Sequence, residues 1–301
     1  MDSVSFGQKL KKELLSRIAK KTPLKRAQLF GMLCACDERT NSKLGFSTEN
    51  EGVIAVFSEL MSDVFGILPE LNVFQRRDDV NICCAQITDN SDILDINAEF
   101  FFEEEGFLRN ARTLSRDELS FFVCGAYLVC GGITDPKKSY HMEFVLKDKT
   151  TALDFCELLS ICSVNATISA RKNQYVVYIK QSEGIEDLLI FMGAKLSALE
   201  LMDIKIYKEL RNNTNRRTNC ETANIGKTIA ASASQIADIN LIFEKGGRES
   251  LPDNLRELAL LRLENPDMSL SELGKLLTEP ISRSGVNHRF EKINEIASKY
   301  R

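Results

Sequence analysis

Apolar residues at the start of the chain recur at helical spacing. Phe6, Leu10, Leu14 and Ile18 share one face with lysines between them, which predicts an amphipathic helix over 5–20. A second helix begins near Lys25 and carries Ala27, Leu29, Phe30, Leu33 and Cys34. Then come a strand at 43–48, a helix at 49–64, and strands at 71–75 and 80–87 around a turn at Arg77-Asp78-Asp79. A short helix near 93–99 closes the run. The same order then returns. Helix 116–130 is followed by strand 140–146, helix 150–161 and strands 166–170 and 175–180 around Arg171-Lys172-Asn173, and then by helices 185–192 and 197–210. This is a duplicated unit with an offset of roughly 95 residues.

The pattern changes after residue 210. Residues 211–219 are polar and Asn-rich and read as a linker or boundary. A long helix is predicted over 221–244 and ends at Gly246-Gly247. Three short helices follow, at 252–264, 269–277 and 284–300. Ser269 and Glu272 form an S-x-x-E cap on the second of them. The expected domains are 1–212 (repeats at about 22–112 and 116–210), a linker and long helix at 213–245, and a helical domain at 246–301.

A short capped helix, a turn and a basic amphipathic helix match helix-turn-helix DNA recognition. In the last helix Val286, Phe290, Ile293 and Ala297 form one face that would pack on Leu270, Leu273 and Leu277. The remaining positions hold Arg283, Ser284, Asn287, His288, Arg289 and Lys292, with Lys275 on the preceding helix. Asn and Arg bond bidentately to adenine and guanine edges. Ser284 and the helix start can hold a phosphate. The turn is longer than the tightest form and contains Pro280. A plain three-helix bundle with a solvated charged face fits the same pattern.

Composition sharpens this reading. The chain has 301 residues, 44% hydrophobic and 27% charged, which suits two globular domains. Its net charge of −4 excludes a wholly basic nucleic-acid coat protein but conceals a cancellation. Residues 1–26 hold eight basic and two acidic residues, 203–228 six and three, and 282–301 five and two. Residues 89–118 hold nine acidic and three basic. The nine cysteines are mostly in apolar runs, without a C-x-x-C, and read as reduced core thiols in a cytoplasm. With two His in the chain, no metal and no cofactor are expected. No apolar run is long enough for a signal or membrane segment.

Two further segments carry a resemblance. Leu29-Phe-Gly-Met-Leu-Cys-Ala-Cys-Asp37 and Val123-Cys-Gly-Ala-Tyr-Leu-Val-Cys-Gly131 occupy corresponding places in the repeats. Both look like degenerate LAGLIDADG helices. The resemblance implies an α+β fold, a duplicated homing-endonuclease-like domain whose two helices meet at a pseudo-twofold centre. It also implies small residues where they touch, here Gly31, Ala35, Gly125 and Ala126. In such nucleases each helix ends in an acid that binds a catalytic divalent metal. The matching positions here are Cys36 and Cys130, and Asp37 and Asp135 are displaced, so cleavage is not expected.

Across most of the chain the resemblance is to the bacterial WhiA family. It is carried by SFGQKLKKELL, FVCGAYLVCGGITDPKKSYHMEF, RNNTNRRTNCETANIGK, LPDNLRELALLRLENPDMSLSELGKLL and PISRSGVNHRFEKINEIA. It implies a non-enzymatic, sequence-specific transcription regulator of sporulation and cell division, with a C-terminal all-α helix-turn-helix domain. Its implied partner is double-stranded promoter DNA, with RNA polymerase or a sigma factor as a second candidate, and its location the cytoplasm and nucleoid. The duplication already supplies twofold symmetry, so a monomer is expected. Arg76, Arg77, Arg171 and Lys172 at the strand turns, and Arg211, Arg216 and Arg217 near the linker, are candidate secondary DNA contacts. The alternatives are a metal-dependent endonuclease and a scaffold that docks on RNA polymerase.

Overall fold

The computed structural model describes residues 4–17, 19–40, 42–76, 79–100 and 107–301. Of the positions named above, Ile18, Arg77 and Asp78 lie outside the described residues. The chain divides into two compact units, Met1–Lys208 and Glu209–Arg301.

In the first unit, α1 (Phe6–Leu15) opens on a reciprocal cap between Ser5 and Gln8. It stops at Leu15 instead of near residue 20. Arg17 is drawn away, donating to Ser120 Oγ at 3.0 Å and to the Met192 carbonyl at 2.7 Å. Its guanidinium lies 3.7 Å above the Phe121 ring. The first repeat is α2 (Thr22–Cys34), β1 (Glu38–Thr40), β2 (Lys43–Thr48), α3 (Glu51–Phe65), β3 (Glu70–Gln75), β4 (Asn81–Ile87) and α4 (Asn90–Phe100). After the short α5 (Leu108–Ala111), the second repeat is α6 (Arg116–Cys130), β5 (Gly131–Ile133), β6 (Met142–Leu146), α7 (Lys149–Ile161), β7 (Thr167–Arg171), β8 (Gln174–Ile179) and α8 (Ser182–Phe191).

Both repeats form four-stranded antiparallel sheets of the same order, β1-β2-β4-β3 and β5-β6-β8-β7. Period-two alternation sets their inner faces. Leu44 and Phe46 of β2 lie opposite Ile87 and Ala85 of β4, and Met142 and Phe144 of β6 opposite Ile179 and Val177 of β8. All eight are buried.

The central helices α2 and α6 touch through backbone. A Cβ built on Gly31 would lie 1.9 Å from the Phe122 carbonyl oxygen, and one on Gly125 would lie 2.1 Å from that of Gln28. The glycines, and the residues they meet, are each 94 positions apart. The contact is therefore made twice, by symmetry. Around it Phe30 stacks on Phe100 and meets Phe122 edge-on.

Helix α9 (Lys195–Gly246) begins in the first unit. Glu13 of α1 caps its start, accepting from the Leu196 and Ser197 amides at 2.7 and 2.9 Å. Residues 211–219, read from sequence as a linker between two helices, lie inside α9 and are helical. Local bonds hold them there: Thr214 Oγ1 donates to the Leu210 carbonyl at 2.9 Å, and Arg217 pairs with Glu221 at 3.0 Å.

In the second unit, the last turns of α9 pack with α10 (Asp253–Glu264), α11 (Leu270–Leu276) and α12 (Arg283–Ser298). Their shared core is Ile239, Ile242, Leu258, Leu273, Leu277, Val286, Phe290, Ile293 and Ala297. Asp238, buried, ties α9 to the chain end through Asn294 Nδ2 at 2.6 Å and through Arg301.

Candidate nucleic-acid interface

The sequence of α11 and α12 determines their geometry locally. Ser269 and Glu272 cap α11 reciprocally, as predicted. Gly274 sits where the chain returns: its carbonyl accepts from the Ile281 amide at 3.1 Å, and a Cβ there would lie 2.5 Å from the Ile281 carbonyl oxygen. Only glycine admits so close a return. Ser282 caps α12, accepting from the Gly285 amide at 3.3 Å, and its hydroxyl meets that of Ser284 at 2.9 Å.

The buried side of α12 is the predicted apolar face. Arg283, Ser284, Asn287, His288 and Lys292 are exposed, as is Lys275 in the last turn of α11. Arg289 is placed differently. It is half-buried and its Nη1 donates to the Asn254 carbonyl at 3.1 Å, bracing α12 against α10.

Sequence reasoning missed Glu291. Its carboxylate accepts from Asn287 Nδ2 at 2.8 Å and meets His288 Nδ1 at 3.3 Å. The signal was there, because spacings of three and four put these residues on one face. The latch fixes two candidate base-reading side chains in one orientation and keeps a negative charge among them.

Glu257 was also missed. It anchors the turn before α12, accepting from the Thr278 amide at 2.6 Å and from its hydroxyl at 2.7 Å. Those bonds, with Arg289 nearby, hold its carboxyl below the ordinary glutamate value of 4.5. A carboxyl whose pKa is lower folded than unfolded contributes stability above the unfolded value, and this is lost as pH falls through the folded one. Glu257→Gln should therefore flatten the acid limb of the second unit's melting profile, below about pH 4.5. Thermal melts of wild type and variant across that range check this, and superimposable acid limbs would refute it.

In the first unit, the ends of the two central helices carry thiols at equivalent places, since the 94-residue offset pairs Cys36 with Cys130. Cys36 Sγ faces the Met32 carbonyl at 3.5 Å, and burial raises its pKa. Burial pushes Cys130 up to about 12, opposed by nearby Lys11. Both are neutral thiols near pH 7 and unsuited to a hard divalent ion. The offset pairs Asp37 with Gly131, so no second carboxylate stands opposite it. Partial burial and Glu38 raise the Asp37 pKa. Asp135 lies in a turn, accepting from the Lys137 amide at 2.9 Å. Among the described residues no group of three or more His, Cys, Asp or Glu could hold a metal, and no helix is long and apolar enough to cross a membrane.

The candidate secondary contacts are dispersed. Arg76 follows β3 and pairs with Glu49 at 2.9 Å. Arg171 ends β7, and Lys172 occupies the next turn with a φ of 55°. Arg77 lies outside the described residues. Arg211, Arg216 and Arg217 project from exposed turns of α9.

Comparison with known proteins follows the same division. Residues 119–211 match the family described as the WhiA LAGLIDADG-like domain, and 214–297 that of the WhiA C-terminal HTH domain. A protein of Thermoanaerobacter pseudethanolicus described as "Probable cell division protein WhiA" is 38% identical over 313 residues, covering 98% of each chain. One of Clostridium acetobutylicum with the same description is 40% identical over 281 residues, 87% of this chain and 86% of that one. Among solved structures, full-length DUF199/WhiA from Thermatoga maritima superposes with a TM-score of 0.59 at 24% identity, covering 99% of both chains. The N-terminal LAGLIDADG domain of DUF199/WhiA gives 0.50 at 19% identity, over 64% of this chain and 91% of that one.

Proposed function

The chain belongs to the WhiA family, and on that premise we propose that it is a DNA-binding regulator of cell division that acts at promoters without cleaving DNA. The observation that carries this reading is the start of α12. Arg283, Ser284, Asn287 and His288 stand exposed on a helix whose opposite face is locked into a core and whose entry is set by Gly274 and Ser282. Asn287 and Arg283 have the donor geometry for adenine and guanine edges, and Ser284 with the helix start suits a phosphate. Lys275 and Lys292 flank them and fit the DNA backbone. Arg289, tied to Asn254 at the margin of the face, is assigned a phosphate.

The absence of cleavage is proposed on the paired thiols. A two-metal hydrolysis needs carboxylates to hold its ions, and Cys36 and Cys130 stand where the resemblance to nucleases requires them.

The test is selection of duplexes from a random library by the full chain, followed by affinity measurement. Arg283→Ala and Asn287→Ala should each weaken binding to the selected duplex by about tenfold or more and spare a scrambled one. Lys275→Ala and Lys292→Ala should weaken both equally and lower the salt slope by about one each. No enrichment and no binding at low salt would overturn the reading in favour of a protein-docking role. Supercoiled plasmid with Mg²⁺ or Mn²⁺ should stay intact; cleavage abolished by Asp37→Asn would show an active nuclease.

A further inference from the structure

The middle of α9 has no packing reason to be a helix. Residues 209–231 are exposed on every side. The stretch 210–230 holds five Asn, four Thr and Gly226, all poor helix formers. A Cβ on Gly226 would meet nothing within 4 Å, so the fold does not require that glycine. A helix that buries none of its faces is marginal in water unless something else holds it.

Its two faces differ. One is bonded to itself: Arg217 pairs with Glu221, Thr214 bonds Leu210 and Thr228 bonds Asn224. The other carries Asn212, Asn215, Arg216, Asn219, Ala223, Gly226 and Lys227, which follow the i, i+3, i+4, i+7, i+11, i+14, i+15 pattern and so align on one stripe. Among the described residues the polar side chains of this stripe make no hydrogen bond or ion pair. Over 210–231 the chain holds Arg211, Arg216, Arg217 and Lys227 against the single acid Glu221.

We propose that this stripe of α9 is a second sequence-reading helix that lies in a DNA major groove. Asn and Arg are the side chains with bidentate geometry for adenine and guanine, and three Asn with one Arg share the stripe. Ala223 and Gly226 let the backbone come close to the duplex, and the surplus of cations matches its charge. A phosphate-tracking arm would need cations but no row of amides. The proposal rests on the DNA-binding reading above and assigns it a second contact element.

The test uses the full chain and the duplexes it selects. These should contain two conserved blocks. Asn215→Ala, Asn219→Ala and Arg216→Lys, which keeps the charge but loses the planar fork, should each weaken binding to the selected duplex by about tenfold. Each should remove preference in one block only. Asn287→Ala in α12 should remove preference in the other. Ile225→Ala, on the opposite face, should change neither. Helix content by circular dichroism, free and with DNA, accompanies each variant. If the three α9 variants bind the selected duplex like wild type while the α12 variant loses it, the inference fails and the α12 reading stands. It also fails if Ile225→Ala weakens binding as much as the Asn variants. If no sequence is enriched, the DNA-binding reading itself fails.

Discussion

Gly31→Ala is expected to destabilise the first unit by about 3 kcal/mol or more, at the upper end of what overpacking costs. The added methyl would stand 1.9 Å from the Phe122 carbonyl oxygen, where contact needs more than 3 Å. A side chain in the way could rotate; a helix backbone cannot. The chain can admit the methyl only by separating α2 from α6, which would loosen the packing of Phe30 against Phe100 and Phe122 beside the contact. Gly125→Ala should cost a similar amount, because it meets the Gln28 carbonyl oxygen at 2.1 Å.

The symmetry makes the double variant informative. One outward shift of the helix pair relieves both clashes, so Gly31→Ala with Gly125→Ala should cost clearly less than the two single losses added together. Gly132→Ala is the control. Its Cβ would find only Glu143 atoms at 3.6 Å and beyond, an ordinary contact. Urea unfolding of the four variants reads this directly. For a unit of this size the single variants should melt about 6–12 °C lower. Melting within a degree or two of wild type would contradict the backbone contact.

That contact was half legible in the sequence. The recurrence of Gly31 and Gly125 in two apolar helices points to close approach, and the offset of roughly 95 residues expected from the pattern lies within one position of the 94 that separates the paired glycines. What the pattern could not supply is which atoms meet. The two short strands β1 and β5 were missed for a different reason: three residues cannot display a period of two. The end of α1 was overrun because Leu14 and Ile18 continue the periodicity. The chain departs there because Arg17 finds partners on α6 and after α8, contacts more than a hundred residues away.

The continuity of α9 was illegible because Asn and Thr argue against helix and their local bonds appear only once a helix exists. In the candidate interface, residue types at the start of α12 were readable, since the buried face fixes which positions are outward. The direction of Arg289 and the latch of Glu291 on Asn287 and His288 were not, because they depend on rotamers and on where α10 lies.

The second large effect concerns Arg262, a residue that nothing in the sequence pattern singles out. It is 1% exposed. Its Nη1 donates to the carbonyls of Met268 at 2.7 Å, Pro266 at 3.2 Å and Asn265 at 3.3 Å, while Nε has no hydrogen-bond partner. Burial lowers its pKa from the ordinary arginine value. The guanidinium also lies 5.5 Å from the Phe290 ring centroid. One side chain therefore ties the end of α10 and the loop that leads into α11 to the inner face of α12.

Arg262→Met keeps most of the volume and removes the donors. The Asn265 and Pro266 carbonyls belong to a partly exposed loop and can turn to water, and loss of the buried charge recovers some desolvation energy. The net expectation is a loss of about 2 kcal/mol. Arg262→Ala adds a cavity against Phe290 and should lose about 4 kcal/mol. In a unit of this size those losses correspond to melting about 8–16 °C and 16–32 °C lower. Because α11 and α12 are aimed by this loop, DNA affinity should fall with the folded fraction and recover on cooling. The first unit's own transition should stay in place in the same scan. Arg262→Met melting with wild type would show that the three carbonyls need no donor and that the apolar core alone aims α12.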